Sequence, residues 1–431
     1  MRLCLICLVV FPSVWVGCSP VSRTSLKKKF RETETKFQDH TGFMLYDPES
    51  GETLFEHHSS RYFTPASNTK IFTLYAAFNV LGDSIPGLRY AVLGDSLIFT
   101  GTGDPSFLYG NVYNNDRTYN FLRTARQQLY YAEANWQTTH FGPGWSWEDY
   151  DYTFSSMRSS LPMYGNTFEV IQVNDSILAR PRYFSSFLLK TTDTLTLSKL
   201  VRSPFSNQTI FYPGKTDKVR KWTKPFITDS SVIINLLTDT LRRKVTLVHD
   251  PPVSSWTTLF SVPADSLYRV MMQDSDNFVA EQLLLLCSGV LSDSLKPEIA
   301  IDYTKEMLLG DLPDEPIWMD GSGLSRYNLF TPRSLVMLWE KLLRTVPRQR
   351  LFSLLATGGV SGTLRYSYKG ESPYIFGKTG TLSNVHCLSG YIVTKSGRTL
   401  IFSFMNTNFT TPAHEVRTTM QEIMKLVHDY Y

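Results

Sequence analysis

A lysine three residues after a serine, at the head of an apolar run, is the feature that most constrains this chain. Tyr62-Phe63-Thr64-Pro65-Ala66-Ser67-Asn68-Thr69-Lys70 leads directly into Ile71-Phe72-Thr73-Leu74-Tyr75-Ala76-Ala77. The pattern reads as a helix start. Thr64 can cap it, and Pro65 suits the first turn because its missing N–H would find no partner there anyway. A spacing of three puts the Ser67 hydroxyl and the Lys70 amine on one face of that turn. A lysine so placed, if also crowded by a second cation and shielded from water, loses its proton near neutral pH and can activate the hydroxyl. The same spacing recurs at Ser25 and Lys28 in a basic N-terminal stretch where it implies no chemistry, so the motif alone decides nothing.

A chain of 431 residues exceeds one ordinary core and implies two domains or one large domain with an insertion. With 42% hydrophobic and 19% charged residues it is an ordinary globular protein, and a net charge of +4 gives no support for a nucleic-acid partner. At the N-terminus, Arg2 precedes a short apolar run from Leu3 to Val16 and then Gly17-Cys18-Ser19-Pro20. This reads as a secretory signal, residues 1–18, too short and badly flanked to span a membrane. A small residue directly before a cysteine is the lipoprotein pattern, with Cys18 as the lipidated first residue. Trp15 stands where such signals usually carry Leu, which leaves plain export as the alternative. The expected location is exported and periplasmic, with membrane attachment only through Cys18. Processing would leave Cys18, Cys287 and Cys387. The last two lie in apolar surroundings and are expected as buried free thiols, a single bridge being the alternative. The eight histidines form no His-Glu-x-x-His or similar ligand spacing, so neither a metal nor another cofactor is expected.

Along the chain, residues 19–36 read as a basic tether running into a short helix. Gly42–Tyr46, the turn Asp47–Gly51 and Thr53–Glu56 make a hairpin. Two short β-like runs over 88–107 end in Gly101-Thr102-Gly103-Asp104-Pro105-Ser106, a tight turn with no phosphate-loop lysine after it. Residues 115–133 read as helical. Tryptophans, tyrosines and prolines then mix with short β runs, which marks 136–225 as a mostly β inserted module between a first part, 19–135, and a second, 226–431. Helices are expected at 231–243, 266–287 and 331–356. Strands follow at 373–377, 385–394 and 399–405, and an amphipathic helix closes the chain from about 414 to 431. Early strands, a helical middle and late strands suggest one sheet built from both ends of the chain.

Two further motifs change the weight of the first. Asp274-Ser275-Asp276-Asn277 opens a helical stretch, where a helix cap is its ordinary reading. Lys378-Thr379-Gly380-Thr381 leaves the Tyr374–Gly377 strand with glycines on both sides, which lets a ligand approach the backbone. Lys395-Ser396-Gly397 has the same pattern but is explained as a hairpin turn. In order, Ser-x-x-Lys, Ser-x-Asn and Lys-Thr-Gly are the signature of penicillin-binding proteins and class A β-lactamases. Asp320-Gly321-Ser322-Gly323-Leu324-Ser325-Arg326 with Asn328, Ser361-Gly362-Thr363-Leu364 and the long insertion after Ser67 extend the likeness. From about residue 40 onward the chain resembles the D-Ala-D-Ala carboxypeptidase/endopeptidase family, the class C low-molecular-mass penicillin-binding proteins of the serine β-lactamase-like superfamily. The resemblance is weakest across the inserted module.

What the resemblance implies is an α+β fold. A transpeptidase-like domain, with an antiparallel sheet from both chain ends and a helical subdomain, would carry the mostly β insertion. It also implies acyl transfer on peptidoglycan stem peptides, with β-lactams as covalent inhibitors. Ser67 would attack the carbonyl of the penultimate D-alanine and Lys70 would take its proton, helped by the Lys378 charge. Ser275 would relay a proton to the departing amine, and Asn277 would hold Lys70 and the substrate backbone. The backbone amides of Ser67 and Thr381 would bind the oxyanion, beside Gly380. Lys378 and Thr379 suit a terminal carboxylate. Two rivals stand beside this reading, a serine β-lactamase and a non-catalytic module that keeps the fold. Class A β-lactamases use a Glu-x-x-Leu-Asn glutamate to hydrolyse the acyl-enzyme; Glu281, Glu306 and Glu340 each have Leu three residues on, and none continues with Asn. Slow deacylation is therefore expected. Asp149 or Asp151, in the aromatic stretch Trp145–Tyr152, could receive a free amine of the stem peptide, against the plainer reading of a solvated loop.

Overall fold

The computed structural model describes residues 23–112, 117–133, 135–174, 176–215 and 219–431. The expected signal and Cys18 lie outside the described residues. Both ends of the chain meet in one antiparallel sheet of six strands, in the order Ala356–Thr357, Ile375–Leu382, Val385–Val393, Thr399–Thr407, His40–Asp47 and Glu52–His57. The closing pair runs from His40 opposite Thr407 to Tyr46 opposite Ile401. The expected antiparallel sheet from both chain ends is thus the architecture observed, and the expected 42–56 hairpin forms its far edge.

The central strands are buried on both faces, which is why they read as continuous apolar runs without alternation. Phe43, Leu45, Leu400, Phe402 and Phe404 pack under the Arg23–Phe37 and Ala413–Tyr430 helices. Met44, Tyr46, Ile401 and Met405 face the other way, into the helical side of the core with Ile71, Leu335 and Trp339. There the Lys70–Val80 helix is buried over its first eight residues and packs against Asn277–Ser292. A helix apolar on every side belongs in the interior, and this one brings Lys70 with it. Cys287 and Cys387 are buried free thiols; burial pushes both up, Cys387 to about 12.

Between the first two motifs the chain builds the insertion. A five-stranded sheet takes Ser84–Leu93, Ser96–Gly101, Gln128–Tyr131, Val245–Leu247 and Thr257–Pro263, residues on both sides of the 136–225 range expected for the module. Two three-stranded sheets lie within 167–225. One continuous core, with Leu88, Phe99, Phe168, Phe184 and Leu237, joins all three sheets.

Several local expectations need correction. Among the described residues of the 115–133 stretch only Arg117–Thr124 is helical; Gln128–Tyr131 is a strand parallel to Ser96–Gly101, because tertiary pairing of Leu129 and Tyr131 outweighs local propensity. The 266–287 stretch is two helices, Ala264–Gln273 and Asn277–Ser292. Lys378 lies inside the Ile375–Leu382 strand and does not leave it. Thr64 does not cap. A 3-10 turn, Ala66–Thr69, precedes the Lys70–Val80 helix, and neither element has a side-chain cap. Among the described residues no helix is long and apolar enough to cross a membrane.

Candidate active site

The 3-10 turn presents Ser67 at the point where three parts of the chain converge. Ala66, immediately before it, has φ +47°, a left-handed conformation that non-glycine residues rarely adopt and that marks a backbone held by its surroundings. Two glycines provide that hold. A β-carbon built on Gly323 would lie 1.9 Å from the Ala66 carbonyl. One built on Gly380 would lie 2.6 Å from the Pro65 carbonyl and 2.9 Å from the Ser67 nitrogen. The missing side chain at Gly380 therefore lets the edge of the Ile375–Leu382 strand rest against the Ser67 amide. Beyond Gly377 this edge has no strand partner among the described residues, so its backbone is open to a ligand. Asn68 fixes the approach, donating to the Lys378 carbonyl (3.0 Å) and accepting from Ser389 Oγ (2.6 Å).

Lys70 is wholly buried, and its Nζ donates to Ser67 Oγ (2.9 Å), Asn277 Oδ1 (2.6 Å) and the Ser322 carbonyl (2.6 Å). Lys378, also wholly buried, donates to Ser275 Oγ (2.8 Å) and the Thr379 carbonyl (2.7 Å). Ser275 sits in the break between its two helices with φ +62°. Asp276 caps the second helix by accepting from Val279 N (3.0 Å) and is held by Tyr109 OH (2.6 Å). The cap expected as the plain reading of this stretch is real, and it is what aims the neighbouring Ser275 and Asn277. Asn277 also donates to the Phe154 carbonyl (3.0 Å). Ser67, Lys70, Ser275, Asn277 and Lys378 are thus joined by hydrogen bonds in two short chains, with Thr379, Gly380 and Thr381 on the adjoining strand edge.

Both lysines hold a proton less readily here than in water. Burial lowers Lys70 to about 8, while the Asp320, Glu281 and Asp276 carboxylates pull it back up. Burial lowers Lys378 well below its ordinary value, and the Lys70 charge lowers it further. The charge of one therefore opposes the charge of the other.

A supporting layer lies behind these residues, built around the Asp320–Arg326 stretch and Asn328 already noted in the sequence, with Glu281, Arg158 and Trp145 joining it only in the fold. Asp320, fully buried, accepts from Gly323 N (2.8 Å), Ser325 N (2.7 Å), Asn328 Nδ2 (2.8 Å) and Trp145 Nε1 (2.9 Å). Glu281 accepts from Ser322 N (2.8 Å) and Arg158 (3.3 Å); burial and the Asp320 charge hold it up at about 7. It is buried structure, not a group open to attacking water. Glu306 lies on the Pro297–Leu308 helix, and Glu340 accepts from Tyr46 OH (3.1 Å) and Arg344 (2.6 Å). Asp151 is already paired with Lys224, and burial raises Asp149 while Arg326 lowers it. Of the two candidates for a substrate amine, only Asp149 is without a lysine partner. A cavity of about 690 Å³ opens between the Asp274–Asn277 turn and the insertion, with Tyr109, Phe154, Arg180 and Lys221 in its walls.

A buried lysine of lowered basicity against a serine hydroxyl, beside an open strand edge, is built for nucleophilic attack on an amide. Comparison with known proteins agrees. The model of the D-Ala-D-Ala carboxypeptidase 3 (S13) family matches residues 24–430. The chain is 22% identical to the D-alanyl-D-alanine carboxypeptidase DacB of Haemophilus influenzae, over 90% of each protein. It is 25% identical to the D-alanyl-D-alanine carboxypeptidase of an Actinomadura species, over 86% of this chain and 78% of that protein. In fold it is similar to the crystal structure of penicillin binding protein 4 of Haemophilus influenzae, with a TM-score of 0.77 over 93% of this chain and 99% of that one, at 18% identity.

Proposed function

Because the chain belongs to the D-Ala-D-Ala carboxypeptidase 3 (S13) family, we propose that it uses Ser67 to form an acyl-enzyme with peptidoglycan stem peptides. It is a serine-type hydrolase, a D-Ala-D-Ala carboxypeptidase and/or endopeptidase. The observation that carries the residue assignment is the set of three hydrogen bonds on Lys70, which aim its nitrogen at Ser67 Oγ.

In this reading the substrate switches the base on. A terminal carboxylate arriving beside Lys378 and Thr379 stabilises the Lys378 ammonium. Charge on Lys378 then disfavours charge on Lys70, whose neutral amine takes the Ser67 proton as the oxygen attacks the D-alanine carbonyl. The Ser67 and Thr381 amides face the developing oxyanion. Ser275, bonded to Lys378, delivers a proton to the departing amine. Water then cleaves the ester. Trimming a terminal D-alanine and cutting a cross-link use the same groups, since both break an amide on the carboxyl side of D-alanine.

β-Lactams acylate the same serine and stay, because none of Glu281, Glu306 and Glu340 is placed as a deacylating base. A crystal structure of the Haemophilus influenzae protein holds a β-lactam. Fluorescent penicillin is expected to label the wild-type protein in a gel and leave Ser67→Ala dark, with nitrocefin turned over only slowly. Labelling that survives in Ser67→Ala removes the assignment, and rapid nitrocefin turnover makes the protein a β-lactamase.

The N-terminal pattern supports export with a lipid on Cys18 and residence at the periplasmic face of a membrane. Metabolic palmitate labelling should then mark the protein and be lost in Cys18→Ala. A soluble periplasmic product without lipid would indicate plain export.

A further inference from the structure

We propose that Glu34, His57 and His58 form a binding site for a divalent transition metal, with zinc the ion that suits two imidazoles and a carboxylate best. The site lies apart from Ser67, where the Arg23–Phe37 helix meets the end of the outer Glu52–His57 strand. Glu34 Oε2 is 3.2 Å from His57 Nε2, and Glu34 Oε1 is 3.2 Å from His58 Nδ1. One donor atom from each residue lies within 4.8 Å of the other two. Four ligands around zinc at ~2.1 Å sit roughly 3.4 Å apart, so little movement is needed to close on an ion.

Separations of 3.2 Å also suit hydrogen bonds, and the orientation separates the two cases. His57 Nε2 is buried and makes no hydrogen bond despite the nearby carboxylate. The ring is held in place by stacking on Phe30, with centroids 5.3 Å apart. Neighbouring residues of a strand point to opposite faces, yet His57 and His58 have ring centroids only 4.1 Å apart. Their convergence comes from the left-handed φ of +47° at His58, just past the strand end.

The surroundings supply orientation and charge. The Thr41 N–H donates to Glu34 Oε1 (3.2 Å) and so orients that carboxylate, while the Thr41 carbonyl lies 3.1 Å from His58 Nδ1, a contact that this ring gives up when its nitrogen takes an ion. Asp39 is buried with one carboxylate oxygen unpartnered and is linked to Thr41 Oγ1 (3.3 Å). A dication there would meet the Glu34 carboxylate. It would fasten the first described helix to the sheet.

The test uses untagged protein stripped by chelator and titrated with zinc sulfate. Calorimetry is expected to show one zinc per chain and a rise in melting temperature, both lost in His57→Ala and in His58→Ala and weakened in Glu34→Gln. Zinc-edge X-ray absorption on the wild-type protein, which needs no variant to fold, should report two imidazole nitrogens and an oxygen. The proposal is overturned by a wild type with no saturable zinc binding, by binding that survives in folded His57→Ala and His58→Ala, or by a spectrum lacking the imidazole pair.

Discussion

Lys70 and Lys378 are both sealed from water and close enough that the charge of one opposes the charge of the other. Their titration therefore belongs to the pair, and acylation needs one proton on it, carried by Lys378 once a carboxylate binds and leaving Lys70 neutral. Lysine ordinarily titrates at 10.5, and in the fold Lys70 is depressed to about 8. Penicillin acylation is therefore expected to stay level below about pH 8 and to fall about tenfold per pH unit well above it, as the last proton leaves the pair. Stopped-time labelling with fluorescent penicillin between pH 6 and 9.5 measures this. A rate that keeps rising through pH 8 would contradict this sharing of the proton. Neighbouring residues show what single positions conceal. Asn68 lies between two noted residues, yet its bonds to the Lys378 carbonyl and Ser389 span more than 300 positions, and no local pattern encodes them.

At the scale of elements, apolar runs and periodicity disclosed the helices at 230–241 and 332–345, the hairpin and the last two strands, because each has strong local patterning. Less visible was the break at Ser275, where a cap within an apolar stretch looks like helix continuing. The strand through Lys378 was also misjudged, since its glycines mimic a strand end while serving close approach. That approach yields a sharp test. Gly380→Val adds atoms where the Pro65 carbonyl and Ser67 nitrogen already stand, so the strand edge must retreat from Ser67. Acylation by penicillin should fall at least ~100-fold, in line with the loss of an oxyanion donor, while the thermal transition stays cooperative. Near-normal labelling of Gly380→Val would show that this edge plays no part in acylation.

For the whole molecule, the strand pair from His40–Asp47 and Thr399–Thr407 makes folding depend on both chain ends. The Ala413–Tyr430 helix buries Val416, Met420, Ile423, Met424 and Val427 on the sheet. At about 1.5–3 kcal/mol for each large apolar side chain, losing the helix removes an amount comparable to the whole ~5–15 kcal/mol by which proteins are usually stable. A chain ending at Pro412 is expected to be insoluble, whereas Met424→Ala should fold with a stability lower by roughly 2–5 kcal/mol in urea titration. A soluble, cooperatively melting truncation would contradict this account of the core.

The sequence by itself determined the chemistry. The order of Ser67–Lys70, Ser275–Asn277 and Lys378–Thr381 needs no coordinates, because residue type and spacing are local properties. It also suggested that the chain ends share a sheet, since strands stand at both ends with a helical middle between them. Only the tertiary structure lowered both lysines, because burial and the Asp320, Glu281 and Asp276 charges come from distant segments. It alone converged Glu34 with His57 and His58, whose geometry no ligand spacing announces. Electrostatics and coordination depend on distance in space, and for residues far apart in the chain that distance exists only after folding.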